Sequence, residues 1–131
     1  MIEINENKGF SITFSSNMEW KNDHIGEDCI DLHTTLARWL ALRLQFLGDN
    51  TNGWPITFCL GCASQEEYDR QYRNWRIELW DTAKALKDYA DMMEGKGTVD
   101  EFDESGKAKK IISDAKKAIQ WVADNFTNLW D

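Results

Sequence analysis

Between residues 64 and 95 the apolar positions are Tyr68, Tyr72, Trp75, Leu79, Thr82, Leu86, Tyr89 and Met93, in alternating steps of four and three. That spacing predicts a helix over 64–94 with one packing seam. Ser64 followed by Glu67 has the form of a capping box, and Gly95 stands where a helix C′ glycine belongs. A second helix is predicted over 28–47, with Ile30, His33, Ala37, Leu40, Leu44 and Leu47 on one stripe. Leu32, Trp39, Leu42 and Phe46 fall off that stripe and leave only a narrow polar strip around Asp31, Thr35, Arg38 and Gln45. A helix apolar over most of its circumference is covered from more than one side, so this one is expected to be central. Gly48-Asp49-Asn50 reads as its stop. A third helix is predicted over 104–129 from Ala108, Ile112, Ala115, Ile119, Val122, Phe126 and Leu129. Thr98 and Glu101 favour an early start for it, and Gly106 a later one.

The first residues follow a different period. Ile2 and Ile4, then Phe10, Ile12 and Phe14, alternate with polar residues around Asn5-Glu6-Asn7-Lys8-Gly9, which predicts a β-hairpin over 1–15. A lone two-stranded hairpin is marginal in water, so it is expected to lie on a helix. Residues 15–26 read as a connection anchored by Met18 and Trp20, and 49–63, with the only proline (Pro55) and two cysteines, as a loop. The predicted fold is mainly α with a minor β part. It is a single domain over 1–131, a three-helix antiparallel bundle with the hairpin packed on it.

Composition sharpens this picture. A chain of 131 residues with 42% hydrophobic content supports one core and excludes disorder. The formal net charge of −8 argues against phosphate-driven nucleic-acid binding and suits a chain that presents carboxylates to a basic partner. Leu32–Leu47, the most apolar run, is short and carries Arg38 and Arg43, so no membrane span is expected. No charged-then-apolar leader follows Met1, and three cysteines suit a reducing compartment, so the expected location is the cytoplasm.

Several short motifs occur together: Ile2-Glu3-Ile4 with Phe10-Ser11-Ile12-Thr13-Phe14, Leu36-Ala37-x-x-Leu40, Asn52-Gly53-Trp54-Pro55, a helix led by Glu66-Glu67, and the end Asn125-Phe126-Thr127-Asn128-Leu129-Trp130-Asp131. In these the chain resembles small uncharacterised bacteriophage and prophage proteins that finish in Phe-x-x-Leu-Trp-Asp. The resemblance implies a phage origin, action in the host cytoplasm and no known enzyme activity. It also implies binding and blocking of a host protein, a role that includes anti-CRISPR and other anti-defence inhibitors.

The sharpest chemical constellation is sulfur and imidazole. Cys29 and His33 share a helix face at i and i+4, and Cys59-Leu60-Gly61-Cys62 is a CxxC knuckle. Together they would complete a structural Cys₃His zinc site with no open position. Against this, Cys29 can be a small core residue, His33 a satisfied histidine and the CxxC incidental. A thioredoxin-like role for the CxxC lacks a surrounding α/β pattern. Glu78-Leu79-Trp80-Asp81 matches one half of the Mg²⁺ motif of all-α nucleotide pyrophosphatases, but the matching ExxE is missing. Glu78 and Asp81 are read as solvated flanks of the seam. No phosphate loop is present, and enzyme activity is not expected.

Surfaces offer more. Opposite the long helix's seam run Glu66, Arg70, Arg73, Ile77, Trp80, Lys84, Lys87 and Asp91. Basic residues around an Ile77–Trp80 pair have the composition of an interface hot spot, unless the hairpin or Trp20 covers that pair. Carboxylates gather at Glu19, Asp23, Glu27, Asp28 and Asp31, and again at Glu94, Asp100, Glu101, Asp103 and Glu104. Such sets can imitate a phosphate track or be plain solvated surface. Trp121 and Trp130 fall off the last seam and are candidates for an interface or for oligomerisation. The expected function is therefore a small acidic protein that occludes a host protein or protein–nucleic-acid complex, through Arg70, Arg73, Ile77, Trp80 and Lys84 or through Asp100, Glu101, Asp103 and Glu104. A zinc-stabilised interaction domain is the alternative, with an all-α nucleotide-handling enzyme after it.

Overall fold

The computed structural model describes residues 3–5, 11–13, 25–55 and 64–130. The chain divides into two compact units, Met1–Leu36 and Ala37–Asp131. In the first, Glu3–Asn5 (β1) and Ser11–Thr13 (β2) pair antiparallel with Ile4 opposite Ile12. Three-residue strands are too short to be stable alone. The hairpin expected over 1–15 as a layer on a bundle is not supported, since 6–10 and 14–15 lie outside the described residues, as do Met18 and Trp20.

What the described residues do form is helical. Ile25–Ile30 is α1, Leu32–Asn50 is α2, Gln65–Met93 is α3, and Lys107–Asp124 is α4, with a short 3₁₀ turn at Phe126–Asn128. None of these helices is long and apolar enough to cross a membrane. The helix expected from Asp28 thus starts earlier and is interrupted at Asp31, whose carbonyl accepts the Thr35 N–H at 3.0 Å and opens α2. Its far end also differs from expectation. Gly48-Asp49-Asn50 stays helical, and the turn is sealed by Thr51 N–H on the Leu47 carbonyl (2.7 Å) and by the Asn50 amide on Phe46 O (2.9 Å).

Helix α3 begins and ends on local chemistry. Ser64 is extended and its Oγ accepts the Glu67 N–H at 3.2 Å. At the other end Gly95 adopts φ +71°. Lys96 N–H then reaches Asp91 O at 2.8 Å and Gly95 N–H reaches Met92 O at 3.2 Å, the paired bonds of a Schellman motif. Gly106, at φ +97°, sets the start of α4 at Lys107 rather than 104, because only glycine takes that conformation at little cost.

In the second unit α2, α3 and α4 form an antiparallel helical bundle. Arg38 lies beside Asp91, Gly48 beside Arg76 and Trp80, and the Tyr72 hydroxyl donates to Thr51 O, so α2 and α3 run in opposite directions. Trp75 stacks near Trp121 at 5.5 Å between ring centroids, joining α3 to α4. The core gathers Ala37, Ala41 and Leu44, Trp75, Leu79, Ala83, Leu86 and Ala90, and Ala118. Alanines on α3 and α4 let those two backbones approach, and the large side chains of α3 fill the centre. On α4 the predicted stripe is buried at Ala108 and Ala115 and half-buried at Ile112 and Val122, while Ala118, off the stripe, is also buried, and Ile119 (41% exposed) and, in the 3₁₀ turn, Phe126 (66%) face solvent. On α2, Ile30 and His33 of the predicted stripe precede or open the helix and are exposed.

An ion network ties α2 to the end of α3. Lys87 and Arg38, each at 2.7 Å, hold the Asp91 carboxyl below the usual carboxylate range. Burial works to raise Glu94, but Lys96 at 2.8 Å and Arg38 at 3.2 Å outweigh it, and the net shift is downward. A carboxyl depressed on folding contributes stability above its unfolded pKa of about 4 and loses it as pH falls through the folded value. The urea midpoint is therefore expected to drop between about pH 5 and about pH 2, with Arg38→Ala flattening the drop. A fall as steep in the variant as in the wild type would remove Arg38 from this account.

Candidate interaction surfaces

The residues predicted to form one patch on the back of α3 occupy two different places. Arg70, Arg73, Ile77 and Lys84 face outward, with Ile77 47% exposed. Arg70 is paired to Glu67 at 3.2 Å and Lys84 to Asp88 at 2.7 Å, so much of the basic character of the strip is neutralised on its own helix. Trp80 lies along the α2 side instead. Its ring covers the Gly48 backbone, and Nε1 donates to Asp49 Oδ1 at 2.8 Å. The Arg76 guanidinium sits 4.8 Å from the Trp80 ring and 5.6 Å from that of Tyr72, while Arg76 Nε donates to Gly48 O at 2.7 Å. Trp80 is thus half-buried and joined to α2, and Ile77 is the large apolar residue this strip offers to solvent.

The remaining sequence candidates are spread. Cys29 is a free, exposed thiol on α1 and His33 is exposed at the start of α2, with the Asp31 break between them. Cys59 and Cys62 lie outside the described residues, and among the described residues no group of three His, Cys, Asp or Glu is placed to hold a metal ion. Glu78 is not a solvated flank. Burial raises its pKa, the Trp121 indole bonds to it and lowers it in part, and nearby Asp81 raises it further. That bond and the Trp75 stack commit Trp121 to the α3–α4 contact, not to an outer surface. Trp130 is 52% exposed but rests over Gly53, where a Cβ would stand 3.0 Å from its ring.

The acidic segment between α3 and α4 is the most coherent surface. The Schellman motif fixes its start. Asp103 fixes its end, bonded to the Ser105 hydroxyl and to the backbone N–H groups of Ser105 and Lys107, which holds its carboxyl below the usual range. Between them Asp103 N–H bonds to Asp100 O and Phe102 N–H to Asp100 Oδ1, at 2.9 and 2.8 Å, closing a tight turn. The turn holds Phe102 at 80% exposure, the highest of the large apolar residues described. Asp100, Glu101 and Glu104 are exposed around it, and Asp103 is half-exposed. Beside the turn is a hollow of about 500 Å³ lined in part by Met93, Thr98, Val99 and Phe102. The carboxylates were legible in the sequence. Phe102 was not singled out, although an aromatic in a short acidic segment bounded by glycines has no helix face on which to be buried. No family model, no curated protein and no solved structure matches the chain.

Proposed function

We propose that the protein is a non-catalytic binding module that occludes a basic macromolecular partner, docking through the acidic turn at 100–104 with Phe102 as its apolar anchor. One observation carries this: an ordered turn keeps a phenylalanine 80% in solvent among four carboxylates. Removing so large an apolar surface from water is favourable only on a partner with a pocket for it. The carboxylates around it call for a cationic rim, the kind of groove that otherwise takes nucleic-acid phosphates. The resemblance to small phage proteins supplies the expected setting, a host protein or protein–nucleic-acid complex such as a defence component. Arg73 and Ile77 form a secondary candidate contact.

The test is capture from a bacterial lysate on immobilised wild-type protein, on Phe102→Ala and on the double change Asp100→Asn with Glu101→Gln. The expected result is a specific protein retained at low salt, weakened as salt rises, and reduced at least about tenfold by either variant. Phe102 is exposed, so helical circular dichroism should be unchanged. A partner captured equally by all three proteins would sink this proposal.

A further inference from the structure

We infer that the hollow beside Phe102 is a receptor for one arginine side chain of the docked partner, its guanidinium held by the Phe102 ring and the Glu101 carboxylate. The inference rests on the acidic turn being the docking surface, and it names what that turn takes from its partner. The hollow, of about 500 Å³, lies where α3 ends. That is the smaller half of the range for sites that hold small ligands, with room for one long side chain and its flanks. Its walls are of two kinds. Met93, Val99 and Phe102 offer apolar surface, and Asp100 and Glu101 offer carboxylates. An aliphatic stem ending in a cation matches both.

The chain itself leaves this negative charge uncompensated. Glu94, which also lines the hollow, is taken by Lys96 at 2.8 Å and Arg38 at 3.2 Å. Asp100 commits one oxygen, Oδ1, to the Phe102 N–H. Glu101 makes no ion pair among the described residues. Its charge is felt at Tyr89, whose hydroxyl is pushed up by burial and further by Glu101. The helix points the same way, because a helix C-terminus favours a cation and the last turn of α3 carries no basic residue. Phe102 selects arginine over lysine. A guanidinium is planar, so it stacks on an aromatic ring while giving two parallel N–H bonds to one carboxylate. An ammonium is a more strongly hydrated point charge and gains less from the ring. A ring held 80% in solvent beside two carboxylates suits the planar cation.

NMR titration of the isotope-labelled full chain with the capped peptides Gly-Gly-Arg-Gly-Gly and Gly-Gly-Lys-Gly-Gly tests this. The arginine peptide is expected to shift the backbone amides of Val99, Glu101 and Phe102 saturably, with a Kd on the order of 1 mM, and the lysine peptide to bind at least about fivefold more weakly. Glu101→Gln should weaken the arginine peptide at least about fivefold. Phe102→Leu keeps an apolar side chain but loses the ring, and should erase the preference for arginine. Both side chains are exposed, so helical circular dichroism should be unchanged in either variant. Equal binding of the two peptides, or amides that do not move, overturns the inference. Its failure is distinct from that of the docking surface. Unmoved amides alongside lysate capture that still needs Phe102 would remove the receptor and keep the turn, whereas capture indifferent to Phe102→Ala would remove the turn and the inference with it.

Discussion

Replacing Trp75 by alanine is expected to lower stability by about 3–5 kcal/mol, read as a large fall in the urea midpoint. Trp75 is 1% exposed and stands where the three helices of the second unit meet. Its neighbours decide the size of the effect. Trp75 belongs to one buried cluster with Ala41, Leu44 and Leu79, and its ring centroid lies 5.5 Å from that of Trp121. The space left by an indole is too large for the side chains around it to fill completely, so the cost includes the lost contacts as well as the lost burial. Trp121, whose ring is tilted 30° to that of Trp75, would lose its stacking partner while still held by Glu78. Set against a typical stability of about 5–15 kcal/mol, the loss is a large share of the whole. Trp130→Ala is the control: half in solvent, it should cost under about 1.5 kcal/mol in the same experiment. A similarly small loss at Trp75 would mean that the helices close over the gap.

The parts of this fold legible in the sequence are those decided within a few residues. Ser64 with Glu67, and Gly95 with its positive φ, act locally, and α3 begins and ends beside them. Trp75, Leu79, Thr82 and Leu86 are buried as the period requires. The period fails where alanine sets the contact. On α4 the predicted stripe holds at Ala108 and Ala115 but not at Ile119, which is exposed while its neighbour Ala118 faces the core, because close approach of the α3 and α4 backbones is worth more there than one more branched side chain. Trp80 and Trp121 look spare on a helical wheel because their partners lie on other helices, at Asp49 and Glu78. Phe102 belongs to no period at all. Its exposure follows from a turn closed by Asp100, and the carboxylates announce the turn better than the aromatic does.

Gly48 shows the same point in energetic form, and Gly48→Ala is expected to cost about 1–2 kcal/mol where a simple propensity argument predicts a gain. Within a helix, alanine in place of glycine normally stabilises by up to about 1 kcal/mol. Here a Cβ would stand 2.6 Å from Trp80 Nε1, 2.7 Å from Cδ1 and 3.4 Å from Leu79 Cβ. The indole cannot step aside cheaply. It would give up its bond to Asp49 and its stack under Arg76, and Arg76 is itself tied to the Gly48 carbonyl. Overpacking of this kind costs about 1–3 kcal/mol, which outweighs the propensity gain and sets the sign. The mechanism predicts its own reversal. In a Trp80→Ala background the clash is gone, and the same glycine-to-alanine change should become neutral or stabilising, so that the double-mutant cycle shows a coupling of at least about 1.5 kcal/mol. Urea unfolding of the four proteins measures it. Additive effects would show that the indole does not rest on Gly48, and the stop-like Gly48-Asp49-Asn50 would then need another reason to remain helical.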